Sequence, residues 1–520
     1  MKFASFLLST GLAGPANSPP SSILTFEIEN DRVGRRLEHI DGGENFDWLA
    51  PHAGPVYAPG TEVSLLLSRK QENRLRKKLS IVGQENFNSS PLQPQLDRIF
   101  DNLGVSRSTE FDFFKYHDFN EIESWLLDDV SSSSLAKVKS AGKTFENRDI
   151  YVVTIGSDSQ PKITVDCGIH AREWVSPTMC LFLIDQLING DYQYMREGIT
   201  WVIFPVLNPD GYQYTWSDGG TNASKRFWRK NRRVNDGSSC IGVDLNRNYD
   251  VRWNQAGTSS SPCSFTYGGT AAFSEAESKA HADHVNSLEH VGAYLTFHAY
   301  GTLLLYPYSA KRSWEADNRE ELDNLAKEYS DKTKAVNNEF YSFGEGAEIF
   351  GEVAGGSDDW AHKSGIPISY TIELRDRGTY KFALPESMIE RTVRENIEGV
   401  SAIYEHVLAK AAGQKTTSTV KTTLTTMETT TSASEEVETD IDHCPCLDSI
   451  LSEVEQFRKD VAITCLNKET ATDAKGRKPT YIQSQCGNKK PIAKKVVCIK
   501  KNGAWIAKKN PFKKIIKKKC

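Results

Sequence analysis

"CGIHAREW", residues 167–174, lies between a short apolar run, ITVD, and a longer apolar stretch, SPTMCLFLIDQLING. The first run reads as a strand and the second as a helix. Ser176 suits the helix cap, Pro177 its first turn and Asn189-Gly190 its end. Met179, Phe182, Leu183 and Leu187 fall on one helical face. A strand running into a helix in this way is the unit of an α/β sheet, and ligands of such sheets sit beyond the carboxyl ends of the strands. His170, Arg172 and Glu173 occupy that position. His-x-x-Glu alone is a weak signal: with 11 His in 520 residues a chance match is expected, and a solvated ion pair in a turn explains it equally well.

The decision comes from other strand ends. TWVIFPVL, AYLTFHAY and ISYTIEL read as further short strands. His298 ends one of them and Glu373 another. Two imidazoles and a carboxylate, His170, His298 and Glu173, form a three-ligand catalytic zinc site that keeps a position open for water. Glu373, outside the ligand set, is then placed as general base for metal-assisted hydrolysis. KRFWRKNRR offers Arg229, and VDLNRNYD offers Asp244, Asn246 and Arg247. A guanidinium grips a carboxylate through two parallel hydrogen bonds, which suits recognition of a free chain terminus. Asp244 is placed to accept the second ring N–H of a zinc-bound His. A nucleic-acid reading of the basic loop is disfavoured by the acids interleaved elsewhere.

The bulk properties set the frame. The chain is too long for one core and carries a net charge of −5. No run of about 18 apolar residues appears, so no transmembrane span is expected. Residues 1–18 read as a secretory signal. The ten Cys contain no C-x-x-C pair, which favours disulfides and an extracellular, secreted protein over a zinc finger. Sequons at Asn88 and Asn222 fit a glycoprotein. Residues 416–434 hold 13 Ser or Thr in 19 and cannot build a core, so 411–443 is expected to be a linker. Beyond it, 444–520 carries 19 Lys or Arg against 6 Asp or Glu and six of the Cys. That tail reads as a small disulfide-rich basic module for glycosaminoglycans or another anionic surface.

HAREW, NPDGY, FWRKNR, GVDLNRNYD, LLLYPY, GGSDDW and ELRDRG occur in an order and spacing that resemble the zinc metallocarboxypeptidases of the pancreatic carboxypeptidase A/B type. The resemblance covers 120–408. It implies a mixed central sheet flanked by helices over a catalytic domain of 108–410. One Zn2+ would be held by His170, Glu173 and His298, with Glu373 as base and Arg229 stabilising the oxyanion. Asn246 and Arg247, helped by Arg172, would hold the substrate's terminal carboxylate. Tyr300 and Phe382 would line the groove. Asp358 would lie at the base of the specificity pocket with Ser309 and Gly346 beside it, implying release of C-terminal Lys or Arg. The alternative for that stretch is that Asp358 points away and Asp359 caps a helix. Cys240–Cys263 and Cys167–Cys180 would be disulfides.

FDWLAPHAGPVYAPGTEVSLLLS resembles the family's activation segment. It implies an α+β open-sandwich prodomain over 24–107 that covers the cleft and is removed by a trypsin-like protease at Arg107 or Arg98. The family's mobile Tyr is missing: Phe350 or Gly351 stands there, which implies weaker substrate binding with the chemistry kept. A catalytically silent peptide-binding homologue is the competing reading, and the presence of all three ligands and the base argues against it.

Overall fold

The computed structural model describes residues 22–44, 46–50, 57–92, 111–428, 497–501 and 504–508. The chain falls into two compact units, Met1–Thr423 and Leu424–Cys520. The expected signal, both expected cleavage sites and most of the basic tail lie outside the described residues.

The first unit opens with β1 (Ser22–Glu27), β2 (Asp47–Ala50), β3 (Glu62–Leu67) and β4 (Asn88–Pro91). They form an antiparallel sheet in the order β2-β3-β1-β4. Two helices, Asp31–Glu44 and Arg69–Ser80, cover it. The second begins with a capping box in which Ser68 and Gln71 satisfy each other's backbone N–H groups. Side chains alternate across a sheet with period two. Leu24, Phe26, Val63, Leu65 and Leu67 therefore join the helices' Val33, Leu37, Leu75 and Leu79 in one core. Ile23 and Leu66, one residue out of phase, join the core of the following domain instead. A 22–92 module thus spends both faces of its sheet, one on its own helices and one on its neighbour.

The second sheet comprises β5 (Ala136–Lys143), β6 (Asp149–Ile155), β7 (Lys162–Cys167), β8 (Thr200–Phe204), β9 (Val291–Ala299), β10 (Leu303–Tyr306), β11 (Ser342–Glu345) and β12 (Ile368–Leu374). Their order is β11-β10-β12-β9-β7-β8-β6-β5. The centre, β12-β9-β7-β8, is parallel, and antiparallel pairing begins at β10 and β6. This is the expected mixed sheet flanked by helices. Every residue of β7 is buried, as expected of a central parallel strand covered on both faces. Register carries the site: Glu373 of β12 lies opposite His298 of β9, and Cys167 at the end of β7 lies opposite Phe297.

Helix Val175–Ile188 differs from the sequence reading at its start. Ser176 does not cap it; Trp174 holds the cap position without a side-chain hydrogen bond. The Ser176 hydroxyl instead donates to the Phe297 carbonyl (2.5 Å) and accepts from Gly168 N–H (2.9 Å), tying the ends of β7 and β9 together beneath the site. Asn189 ends the helix as expected. Its apolar side chains are buried all round rather than on one face, because it is enclosed between the sheet and the N-terminal segment of the domain, where Phe114 meets Phe182. The last helix runs from Ile389 to Glu428, into the Ser/Thr-rich stretch. The second unit contains an antiparallel pair, Val497–Lys501 with Ala504–Lys508. Among the described residues no helix is long and apolar enough to cross a membrane.

Candidate functional site

The loop after β7 turns sharply at Gly168, where φ is 68°. It delivers His170 and Glu173, three residues apart, to the carboxyl edge of the sheet. His298 arrives from β9. The ligand atoms of these three residues lie within 4.8 Å of one another, and all three are buried. His170 Nδ1 is 2.8 Å from Glu173 Oε1, and His298 Nδ1 is 3.1 Å from both His170 Nδ1 and Glu173 Oε2. Ala299 N–H also donates to Glu173 Oε2 at 3.1 Å, fixing the carboxylate against β9.

The hydrogen-bond network tests whether a metal fits. His170 Nε2 faces Asp244 Oδ1 at 3.1 Å. An ionised carboxylate can only accept, so the ring hydrogen is assigned to Nε2 and Nδ1 presents a lone pair. That lone pair points at a carboxylate oxygen and a second imidazole nitrogen. Acceptors converging in a buried site need a proton or a cation between them, and two imidazoles with one carboxylate are a donor set that fits zinc. Asp244 supplies the outer hydrogen bond that orients a ligating His.

Asp244 also accepts from Arg229 Nε (3.0 Å) and Nη2 (2.9 Å). Burial would raise its carboxyl, but Arg229 and Arg247 hold it well below the usual carboxylate range. For Glu173 burial is likewise outweighed by His170, leaving it below that range. His298 is lowered by burial, yet the Glu173 hydrogen bond pushes it up to about 9. Glu373 stands apart. Burial pushes its carboxyl up to about 8 against the charges of His298 and Arg229, and its Oε2 is buried with no hydrogen-bond partner.

One cleft gathers His170, Glu173, His298, Glu373, Arg172, Arg229, Asn246, Arg247, Ser309, Asp358 and Phe382, with Phe350, Leu305, Val353 and Thr371 completing its wall. Arg247 donates to the carbonyls of Gly257 and Asn246 and is 3.9 Å from Asp244. Asn246 Oδ1 accepts from Ser357 N–H at 2.9 Å, linking the Arg247 turn to the helix that carries Asp358. The two acids of GGSDDW separate cleanly. Asp358 lines the cleft, whereas Asp359 turns away and binds the backbone N–H groups of Ser309 and Ala310 at 2.6–3.0 Å. Asp359 therefore anchors the Ser309 loop rather than its own helix. Gly346 packs behind Ser309; a Cβ there would stand 1.9 Å from the Ser309 hydroxyl. Of the two candidates for the missing Tyr, Phe350 lines the cleft, and Gly351 follows it at φ 87°.

Tyr300 is not among the residues of this cleft wall; it is fully buried and stands edge-on to Phe382 at 5.0 Å. Arg172, expected to help hold a substrate's terminal carboxylate, lines the cleft but is engaged here by the 22–92 module. Its guanidinium lies over the Phe382 ring (4.1 Å to the centroid) and makes two hydrogen bonds, 2.5 and 3.1 Å, to Asp47 of β2. Asp47 was not singled out from the sequence, where nothing separates it from 67 other acids. Cys167–Cys180 and Cys240–Cys263 are bonded as the resemblance implies. The first clamps the metal loop's strand to the following helix.

Comparisons with known proteins converge on this geometry. The sequence profile of the zinc carboxypeptidase family matches residues 122–399. Carboxypeptidase B of Rattus norvegicus is 39% identical over 389 residues, covering 71% of this chain and 90% of the relative. That of Bos taurus is 40% identical over 328 residues, covering 61% and 76%. Among solved structures, thrombin activatable fibrinolysis inhibitor superposes with TM-score 0.66 at 30% identity over 75% of this chain and all of that one. Carboxypeptidase A from Helicoverpa armigera superposes with TM-score 0.67 at 26% identity, over 76% of this chain and 99% of that one. With a buried His-Glu-His cluster at the carboxyl edge of a mixed sheet, and a family match over more than half its length, this chain belongs to the zinc carboxypeptidases.

Proposed function

We propose that the chain is a secreted zymogen whose mature form removes C-terminal Lys or Arg from peptides and proteins, as its similarity to carboxypeptidases B suggests. The observation that carries the specificity is Asp358: a buried carboxylate facing the cleft, beside the small Ser309, with no salt bridge to a cation among the described residues. A buried charge without a counter-charge is costly, and a substrate ammonium or guanidinium would supply one. A large apolar side chain would leave it unmatched.

The residues divide the chemistry as follows. Zinc at His170, Glu173 and His298 supplies a Lewis acid and a water acidic enough to ionise near pH 7. Arg247 and Asn246 hold the terminal carboxylate of the substrate, which sets the last peptide bond beside Glu373. Glu373 takes the proton of the attacking water and returns it to the leaving amine. Arg229, held in orientation by Asp244, stabilises the oxyanion, a contribution of about 3 kcal/mol for such donors. Phe350 replaces a phenol with an apolar ring, so the wall it forms excludes water without donating a hydrogen bond.

The zymogen reading is supported by Asp47. It occupies the Arg172 guanidinium with a buried two-point ion pair, and the 22–92 module is packed on the catalytic core through Ile23 and Leu66. A trypsin-like protease acting at Arg107 or Arg98 would release it. Two disulfides support an oxidising, extracellular location. The basic tail, with 19 Lys or Arg against 6 acids, is assigned to polyanion binding and is tested by comparing heparin-column elution with and without it. The decisive experiment is trypsin treatment of the purified chain, followed by assay on peptides ending in Lys, Arg, Phe and Glu. Activity confined to Lys and Arg, and appearing only after cleavage, is the expected result. Equal activity on Phe would remove the specificity assignment, and full activity before cleavage would remove the zymogen.

A further inference from the structure

The turn that ends at Phe382 carries a lysine where the backbone favours glycine. Lys381 has φ 55°, a conformation that long side chains adopt rarely and glycine adopts freely. The turn is shaped by one carboxylate: Asp376 accepts from the N–H groups of Gly378 (3.0 Å), Tyr380 (2.7 Å) and Lys381 (3.1 Å). Glycine would satisfy this geometry without strain. A strained non-glycine residue beside a functional cleft points to use of its side chain.

The ammonium belongs to the residue next to Phe382, which lines the cleft. Lys381 Nζ stands 5.8 Å from the ring of Tyr300, which packs on Phe382. Above it is the 22–92 module. Nζ reaches the buried Ser64 hydroxyl of β3 at 3.5 Å, its one hydrogen-bond partner among the described residues. Burial under this cover pushes the amine down, and the charges of Glu62 and Asp376 oppose it. Release of the module takes away both Ser64 and Glu62. Asp376 remains, but it is already engaged by three backbone N–H groups. The ammonium is then left uncovered next to the packed rings of Phe382 and Tyr300.

We propose that Lys381 is a specificity-determining residue that binds an acidic side chain, Asp or Glu, of the substrate upstream of the scissile bond. This rests on the carboxypeptidase B-like reading above. The residue removed and the residues before it are then read by opposite charges: Asp358 takes a cation at the C-terminus, and Lys381 takes an anion further back. The natural substrates are peptides in which an acid precedes a C-terminal Lys or Arg.

The test uses the trypsin-treated full chain on oligo-alanine peptides ending in Lys. Glu or its uncharged isostere Gln replaces Ala at one, two or three residues before the terminal Lys. At one of these positions Glu should raise kcat/KM about two- to fivefold over Gln, the worth of a partly exposed ion pair, through KM rather than kcat. The ratio should shrink toward one as salt rises from ~0.05 to ~0.5 M. Lys381→Gly suits the backbone angle, and Lys381→Asn tolerates it; both should bring the Glu/Gln ratio to one at low salt. Equal kcat/KM for Glu and Gln at all three positions would overturn the proposal and leave the carboxypeptidase assignment standing. A Glu preference that survives in both variants would overturn it as well. Failure to hydrolyse any Lys-ending peptide would instead remove the reading beneath it.

Discussion

The two ends of the cleft handle buried charge in opposite ways. At the metal end acids alternate with bases: Glu173 meets His170 and His298, and Asp244 meets His170 and Arg229. At the pocket end Asp358 and Asp359 stand side by side and meet backbone N–H groups, with Thr371 beside Asp358. No salt bridge joins either of them to a cation among the described residues. Burial pushes both of their carboxyls up. The metal end is short of a small cation held by fixed donors. On the proposed reading, the pocket end is short of a larger one that the substrate would bring. Stability selects against both arrangements, so their persistence marks them as places where something binds.

The comparison breaks most sharply at Glu373, which belongs to neither set of paired charges. Glu373→Gln should lower kcat by about three orders of magnitude or more, within the range of a lost general base, while the zinc content of the protein is unchanged. Retained turnover in that variant would mean another group moves the proton. Next in size is the pocket. Asp358→Asn should cost about 3–5 kcal/mol, or roughly two to four decades in kcat/KM, on Lys-ending peptides and nothing comparable on Phe-ending ones.

Asp47→Ala tests the cover over the metal end. Removing one partner of a buried pair costs about 3–5 kcal/mol, so the uncut chain should gain measurable hydrolysis and its 22–92 module should be cut faster by proteases. Unchanged latency in that variant would assign the block to the rest of the interface.

Asp359→Asn sharpens the contrast with its neighbour. It weakens the bonds to Ser309 and Ala310, so it should lower Tm by a few degrees, on the order of 1–2 kcal/mol, and affect kcat/KM much less than Asp358→Asn does. The smallest expected effect is on pH dependence. The folded pKa of Asp358 is raised, so the protonated carboxyl is favoured in the fold. Its contribution to stability is present below the ordinary Asp value and is lost as pH rises through the raised one. Asp358→Asn should therefore raise Tm more near pH 7 than near pH 4. In the unmodified enzyme KM for Lys-ending peptides should climb as pH falls, and should begin to do so above the ordinary Asp range.

Much of the site was legible because strand ends are legible. His298 and Glu373 close short apolar runs, and His170 and Glu173 follow one, so a parallel sheet brings all four to its carboxyl edge whatever the detail of the helices. The local signals that failed did so for tertiary reasons. Ser176 has a capping residue's chemistry, yet its hydroxyl is taken by Phe297 and Gly168 across the strand ends. Tyr300 follows a strand like its neighbours but is fully buried, edge-on to Phe382. Phe350 and Gly351 could not be separated along the chain, because which one faces the cleft is set by how the helix Gly346–Phe350 ends.

The sequence by itself determined the class of sheet, the placement of His170, Glu173, His298 and Glu373 at its strand ends, and the pairing of acids in GGSDDW. These follow from residue type, from two-residue and 3.6-residue periodicity, and from position at the end of an apolar run, all of which are local. Only the tertiary structure decided the partners: that Asp47, 125 residues before Arg172, closes on its guanidinium, that Asp358 faces the cleft while Asp359 anchors Ser309, and that Lys381 sits beneath Ser64. A charge declares its sign in the sequence. Which opposite charge it meets, and whether water is excluded when it does, depends on the packing of segments far apart in the chain.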